Sequence, residues 1–390
     1  MHETSPVIDP QRQERAHRYA RARRLLWAAE LALAALYFSL WIGLRLANRV
    51  AAVLPPALPW WAQALLMAAA LALPWLLLTM PLSLFGSYIL PHRYELSTQT
   101  LGGWFSDLAK QALLSAILGA PMLVGLYGLL RALPRLWWLA AAGASVALSA
   151  FFAVIAPVVL MPLFNRFVPL GEERADLVAR LTTLSERAGT KVRGVFTFDM
   201  SRRTRAANAA LLGLGRTRRI ILGDTLLSEF SEDEIEVVLA HELGHHAHHD
   251  VAVSLLGQGV LNVLMFLIAA LVLQRAAPVL ALRGIADAAG LPVLGLCLGI
   301  VSFLSTPLGN ALSRWRESMA DSFALQLTGK AQAFADAMTR LANQNLGRTN
   351  PPRWEVLLFF THPPLGERIR KAQALLPVAE TPAAAPPSHA

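Results

Sequence analysis

The sequence predicts a multi-span α-helical membrane protein with a smaller water-exposed domain that the membrane segments interrupt. Two observations set that fold class. The 390 residues are 55% hydrophobic and only 16% charged, whereas about a quarter of an ordinary soluble domain is charged. The apolar residues also gather into runs as long as a bilayer requires, about 20 residues each.

Six such runs stand out: Leu25–Leu46, Ala62–Leu90, Ala112–Leu130, Leu136–Leu160, Val251–Leu273 and Leu291–Ala311. The second is long enough to tilt or to kink near Pro74 and Pro81. Six arginines in "RQERAHRYARARRLL" precede the first run, which puts residues 1–24 in the cytoplasm. The first run is long and no small-residue cleavage motif closes it, so it reads as a span rather than a signal peptide. Four spans (residues 25–160) return the chain to the cytoplasm near Met161. A transmembrane hairpin (251–312) then leaves and re-enters. Glu30, inside the first span but near its cytoplasmic end, reads as a snorkelling residue.

The charge balance excludes some classes. A net charge of +9 can signal nucleic-acid binding, but the basic residues are dispersed and lack interleaved aromatics. In a membrane protein they mark the cytoplasmic side. The only cysteine, Cys297, permits neither an intramolecular disulfide nor a cysteine-rich metal site.

Two polar segments, 161–250 and 313–376, make up the water-exposed domain. In the first, "EERADLVARLTTLSERAG" has helical spacing and stops at Gly189. "KVRGVFTFDM" and "RRIILGD" read as strands, rich in β-branched and aromatic residues. Ser231 followed by Glu234 is a capping box that opens a helix through "LAHELGHHAHHD". In the second, "RWRESMADSFALQLTG" and "KAQAFADAMTRLANQNL" read as separate helices. The Pro/Ala-rich tail, 377–390, reads as disordered.

The histidine-rich stretch carries the chemistry. His241 and His245 are four apart, so both project from one helix face, with Glu242 beside them. This is the H-E-x-x-H arrangement, in which two imidazoles hold Zn²⁺ and the glutamate acts on a metal-activated water. His248 shares that face but lies about 10 Å along the helix from His241, too far for one ion. It is therefore grouped with His246 and His249 as interfacial polar residues. A catalytic zinc takes a third protein ligand. Glu317, with Asp321 four residues on, is the candidate: one carboxylate as ligand, the other to orient an imidazole. A solvated acidic face paired with Arg314 and Arg316 fits the spacing equally well.

"HELGH", a hydrophobic hairpin, "ESMADSFA" and then "HPPLGERI" together resemble the type I CAAX prenyl proteases, integral-membrane zinc metalloendopeptidases. "YELSTQTLGGWFSDLAKQ", "APVVLMPLFNRFVPL" and "SRRTRAANAALLGLGRTRRIILGDTLL" extend the resemblance over most of the chain. It implies a gluzincin-like, mainly α (α+β) protease domain with one Zn²⁺ per chain held by His241, His245 and Glu317. It implies Glu242 as catalytic base, Asp321 as a second carboxylate or proton donor, and His362 and Arg368 as a pair near the metal that can donate to the oxyanion. Asn208 and Ala209 match an edge-strand pair that holds substrate backbone. Ala210, Leu211 and Leu212 follow that pair where members acting on prenylated substrates typically have aromatics. "RTRAA" replaces a serine/histidine-rich lead-in, and one span of the seven-span members is missing. These departures bear on the substrate, not on the metal chemistry.

The expected function is thus hydrolysis of a peptide or protein substrate at a bilayer. The alternative is a zinc-binding membrane scaffold or transporter. A purely structural zinc needs no acid between its histidines and is closed by four ligands. Glu242 is present and no fourth ligand is evident, which favours the enzyme. The expected location is the inner or plasma membrane of a bacterium, with the site facing the cytoplasm and no nucleic-acid partner.

Overall fold

The computed structural model describes residues 5–213 and 218–377; the expected disordered tail lies, apart from Pro377, outside them. Six helices among the described residues are long and apolar enough to cross a membrane. The first is α1 (Pro10–Gly43), followed by the short α2 (Leu46–Val53). Next comes α3 (Trp60–Leu84), which passes through a π-helical turn, Phe85–Ile89, into α4 (Leu90–Arg93). The third and fourth spans are α5 (Leu101–Ala132) and α6 (Trp137–Ile155). After the first part of the polar domain come the spans α10 (Asp250–Val279) and α11 (Leu291–Thr328).

Each long helix packs on the next, and α11 returns to α1, closing a ring. At the end away from the polar domain the ring is held by an apolar cluster that includes Tyr37, Trp41, Met67, Trp137 and Phe266. The outward faces carry exposed apolar side chains such as Leu77, Leu113, Leu256 and Leu304, as lipid contact requires. Such faces on a soluble protein would aggregate.

The two ends of α1 fix the polarity of the ring. Near its C-terminal end, Asn48 donates to the carbonyl of Leu280, just past α10. At its N-terminal end, Asp9 caps the helix through the amides of Gln11 and Arg12, and Pro10 takes the first position. The arginine-rich stretch is therefore continuous with the span. It also docks on the polar domain: the Asp9 amide donates to Asn343, and Gln13 spans Gly347 and Thr349.

The polar domain contains a four-stranded sheet in the order β1-β2-β4-β3. Its strands are β1 (Phe167–Pro169), β2 (Val195–Phe198), β3 (Ala209–Leu212) and β4 (Arg219–Gly223). β2 and β4 are parallel; β1 and β3 run antiparallel to their neighbours. Helices α7 (Ala175–Arg187), α8 (Asp224–Glu229) and α9 (Glu232–Ala247) belong to the same part of the chain. After the hairpin come α12 (Ala331–Gln344), α13 (Arg353–Phe359) and α14 (Leu365–Gln373). Leu181, Leu222, Leu239, Leu243 and Phe334 meet in one buried core that joins both parts of the domain.

One expectation changes here. The last span and the helix bearing Glu317 are not separate: α11 is a single helix of 38 residues. At 1.5 Å per residue it is about 57 Å long, while a bilayer core is about 30 Å thick. Its second half therefore rises out of the membrane as a rigid post.

Candidate active site

Helix α9 begins at the capping box: Ser231 Oγ accepts from the Glu234 amide, and the Glu234 carboxylate accepts from the Ser231 amide. This cap, worth about 1 kcal/mol, fixes where the helix starts and so which face His241 and His245 present. The helix ends at Ala247, and His249 turns the chain with φ 53° into α10. Gly244 sets how close α9 comes to α11. A Cβ there would lie 2.9 Å from Cα of Ala320, so only glycine permits the contact that brings Glu317 opposite the histidines.

Three donor groups converge across this contact. His241 Nε2 is 3.1 Å from His245 Nε2 and 3.1 Å from Glu317 Oε2. Glu317 Oε1 is 3.4 Å from His245 Nε2. The far ring nitrogens are both engaged: His241 Nδ1 lies 2.9 Å from Asp321, and His245 Nδ1 lies 2.7 Å from Asp250. An imidazole N–H donated to each carboxylate assigns the tautomers. Both Nε2 atoms then present lone pairs to each other and to a carboxylate. Three electron-pair donors facing one another repel unless a cation lies between them, so the set fits a metal ion; its ligand atoms all lie within 4.8 Å of one another. Without a cation the cluster draws a proton. Burial opposes charge on His241, but Asp321 and Glu317 outweigh it and hold its pKa above the usual imidazole value.

Each imidazole is backed by an arginine through a carboxylate. Arg368 grips Asp321 with two N–H groups, at 2.9 and 2.6 Å. Arg316 pairs with Asp250 and also donates to the carbonyl of His248. Glu242 is partly buried on the same helix, and burial raises its carboxyl pKa. A raised carboxyl pKa makes a stronger proton acceptor at neutral pH.

His362 reaches the cluster from the opposite wall: its Nε2 lies 3.2 Å from Glu317 Oε1, and its side chain is 57% exposed. The segment before it is tied to α11. Asn310 donates to the carbonyl of Leu358, and Arg314 donates to those of Val356 and Phe360. Asn208 and Ala209 stand at the start of β3, the sheet edge, which packs beside α9. Asn208 is exposed and its carbonyl accepts from the Gly223 amide at 2.9 Å. A cavity of about 1110 Å³ between α10 and α11 opens onto His245 and Glu317.

His241, His245, Glu317, Asp321, His362 and Arg368 thus meet at one place. His248 does not join them: its Nδ1 faces the Gly244 carbonyl and its ring packs on Phe323. Arg368 sits differently from an oxyanion donor, since it is buried with Nε and Nη2 committed to Asp321. Sequence reasoning missed Gly244 and Asp250, and set Arg316 against the Glu317/Asp321 face rather than Asp250. Asp250 carried a signal, an acid five residues past His245 at the head of an apolar helix.

Fold and site together define a membrane-embedded metallopeptidase, and the comparisons agree. Residues 171–376 match Peptidase family M48, and residues 2–166 match the CAAX prenyl protease N-terminal domain, described as five membrane helices. Four spans lie within 2–166 here among the described residues. The chain is 31% identical over 301 residues to the uncharacterized metalloprotease YhfN of Bacillus subtilis, covering 76% of this chain and 70% of that protein. It is 30% identical over 304 residues to a CAAX prenyl protease 1 homolog of Oryza sativa, covering 74% and 68%. The crystal structure of S. mikatae Ste24p superposes with a TM-score of 0.81 over 95% of this chain and 92% of that one, at 23% identity. The chain belongs to peptidase family M48. It is a membrane metalloprotease, and as a protease it acts on a peptide or protein.

Proposed function

We propose that the metal is zinc, one ion per chain, held by His241, His245 and Glu317, and that the enzyme cleaves internal peptide bonds with Glu242 as its base. The observation that carries this is the convergence of two imidazoles and one carboxylate, the usual set for a catalytic zinc with one position left open. Bound there, zinc supplies Lewis acidity toward water and the scissile carbonyl.

The chain's own residues do the rest. Glu242 accepts a proton from the attacking water at a carboxylate oxygen and passes it to the leaving amine. His362, exposed on the open side of Glu317, donates to the oxygen that gains charge. Asp321 and Arg368 are positioning residues: Arg368 fixes Asp321, which fixes the His241 ring. The unpaired edge of β3 at Asn208 and Ala209 takes an extended substrate as an added strand. The arginine-rich start of α1 lies on the same side as the site, which by the positive-inside rule is the cytoplasmic face of a bacterial inner or plasma membrane.

The test pairs two variants with metal analysis. Glu242→Gln is expected to keep about one zinc per chain and to cleave a detergent-solubilised reporter peptide at least about 10²-fold more slowly. Glu317→Ala is expected to lose both zinc and cleavage. Wild-type cleavage by Glu242→Gln would remove Glu242 as the base, and full zinc in Glu317→Ala would remove Glu317 from the ligand set.

A further inference from the structure

Away from the metal cluster, α1 and the end of the second span enclose a crevice of about 810 Å³ on the polar-domain side of the ring. Its rim is basic: Arg15 and Arg18 from α1 and Arg93 from α4. Its floor is apolar: Ala22, Phe85 and Leu90. From Phe85 to Arg93 the helix climbs about 12 Å, so one wall passes from hydrocarbon-facing to cationic within the depth of a lipid headgroup and its first acyl carbons.

Two contacts frame this space. At the π-helical turn a Cβ on Gly86 would meet Leu26 Cδ1 at 3.3 Å, so the helices touch there. Tyr19 and Tyr94 meet at the side, tilted to each other, with ring centroids 5.1 Å apart. These contacts border the crevice, which is otherwise open to its surroundings.

The charges on the rim are weakly compensated. Arg18 meets Glu14 on an exposed face, and Arg15 meets the exposed Glu95 only at 3.5 Å. Exposed pairs of this kind contribute little. No carboxylate pairs with Arg93 among the described residues. Three arginines against Glu14 on the lining leave a cationic mouth over an apolar floor.

We propose that this crevice binds one anionic phospholipid. Its phosphate is held by Arg15, Arg18 and Arg93, and the first part of an acyl chain lies on Phe85 and Ala22. Basic pockets between transmembrane helices on the cytoplasmic side recognise anionic headgroups in this way. A water-soluble phosphate ester would leave the apolar floor uncovered. The lipid braces α1 against α4 where α1 leaves the membrane to dock on the polar domain through Asp9 and Gln13. The inference is independent of the metal-site reading.

The test uses full-length protein in neutral detergent. Native mass spectrometry counts retained lipid after titration with phosphatidylglycerol or phosphatidylcholine. Wild type is expected to retain one phosphatidylglycerol in preference to phosphatidylcholine. Arg18→Gln/Arg93→Gln is expected to weaken that retention roughly thirty-fold. Arg21→Gln/Arg23→Gln removes the same charge from α1 outside the crevice and is expected to retain lipid as wild type does. Equal losses in the two double variants would mean general surface attraction and overturn the site. So would equal retention of phosphatidylcholine, or displacement of the lipid by millimolar glycerol 3-phosphate.

Discussion

The two imidazoles of the metal cluster are held by the same device built twice, and the copies differ in their surroundings. On the inner side Arg368, Asp321 and His241 form a chain inside the polar domain, with side-chain exposures of 8%, 2% and 9%. On the outer side Arg316, Asp250 and His245 form the equivalent chain at the root of the membrane hairpin, where Arg316 is nearly as buried as Arg368, at 9%, but Asp250 is 14% and His245 26% exposed. The inner chain ties the site to a packed core. The outer chain ties it to the bilayer and lines the cavity between α10 and α11. A ring orientation fixed in a dry interior resists solvent competition; one at a cavity mouth does not.

Breaking the inner copy is expected to do most harm. Asp321→Asn leaves the buried Arg368 without its counter-ion, a loss of about 3–5 kcal/mol, and releases His241. Thermal melts and metal titration should show lower stability and zinc affinity weaker by about 100-fold, the upper end for partners of a metal ligand. Unchanged affinity would mean that His241 needs no such anchor.

Gly244→Ala tests the contact that both copies share. The added Cβ meets backbone of Ala320, which cannot rotate away. Overpacking of this kind costs about 1–3 kcal/mol, and here it separates Glu317 from both histidines. Zinc content is expected to fall with the fold intact by circular dichroism. Full zinc would show that the helices can part without moving the ligands.

Asp250→Asn probes the outer copy. Zinc affinity is expected to weaken by about 10-fold with a smaller fall in melting temperature than for Asp321→Asn, because Arg316, itself buried, keeps the His248 carbonyl. An effect as large as that of Asp321→Asn would erase the distinction between the two sides.

The smallest effect is expected in the acid response of the helix that carries both histidines. Burial raises the pKa of Glu236, but hydrogen bonds from Lys330 and Arg180 outweigh it and hold the carboxyl below its ordinary value. Its contribution is present above the ordinary glutamate pKa of about 4.3 and is lost as pH falls through the lower folded value. Glu236→Gln should flatten the fall in melting temperature below about pH 4. A wild-type slope in that variant would assign acid lability to other groups.

Much of this was legible in the sequence because the signals were local. A bilayer demands long apolar runs, and six were visible. A helix start demands a cap, and Ser231 with Glu234 supplied it. The metal-site pattern needs only helical spacing. What escaped notice depended on distant neighbours. Ser313 onward turns polar, so α11 read as two helices, yet the helix runs on unbroken, even past Pro307. "AALL" in β3 has helix-forming composition; only the family resemblance marked it as an edge strand, and pairing with β4 makes it one. Gly244 carries no local sign of its task, which is set by Ala320, far along the chain. Arg368 read as a donor toward substrate because nothing local revealed that Asp321 would occupy it.

Cluster residues straddle the hairpin: His241 and His245 come before it, Glu317 after it, and His362 and Arg368 close to the end of the described chain. During synthesis the two histidines emerge long before their carboxylate partner. Two imidazoles alone form an incomplete site, and the His241 ring has no anchor until Asp321 and then Arg368 arrive. The protease is therefore assembled last, after the six described membrane segments have been made. A ribosome-bound or truncated chain ending before α14 is expected to insert into the bilayer yet remain inert toward the nascent and membrane proteins around it.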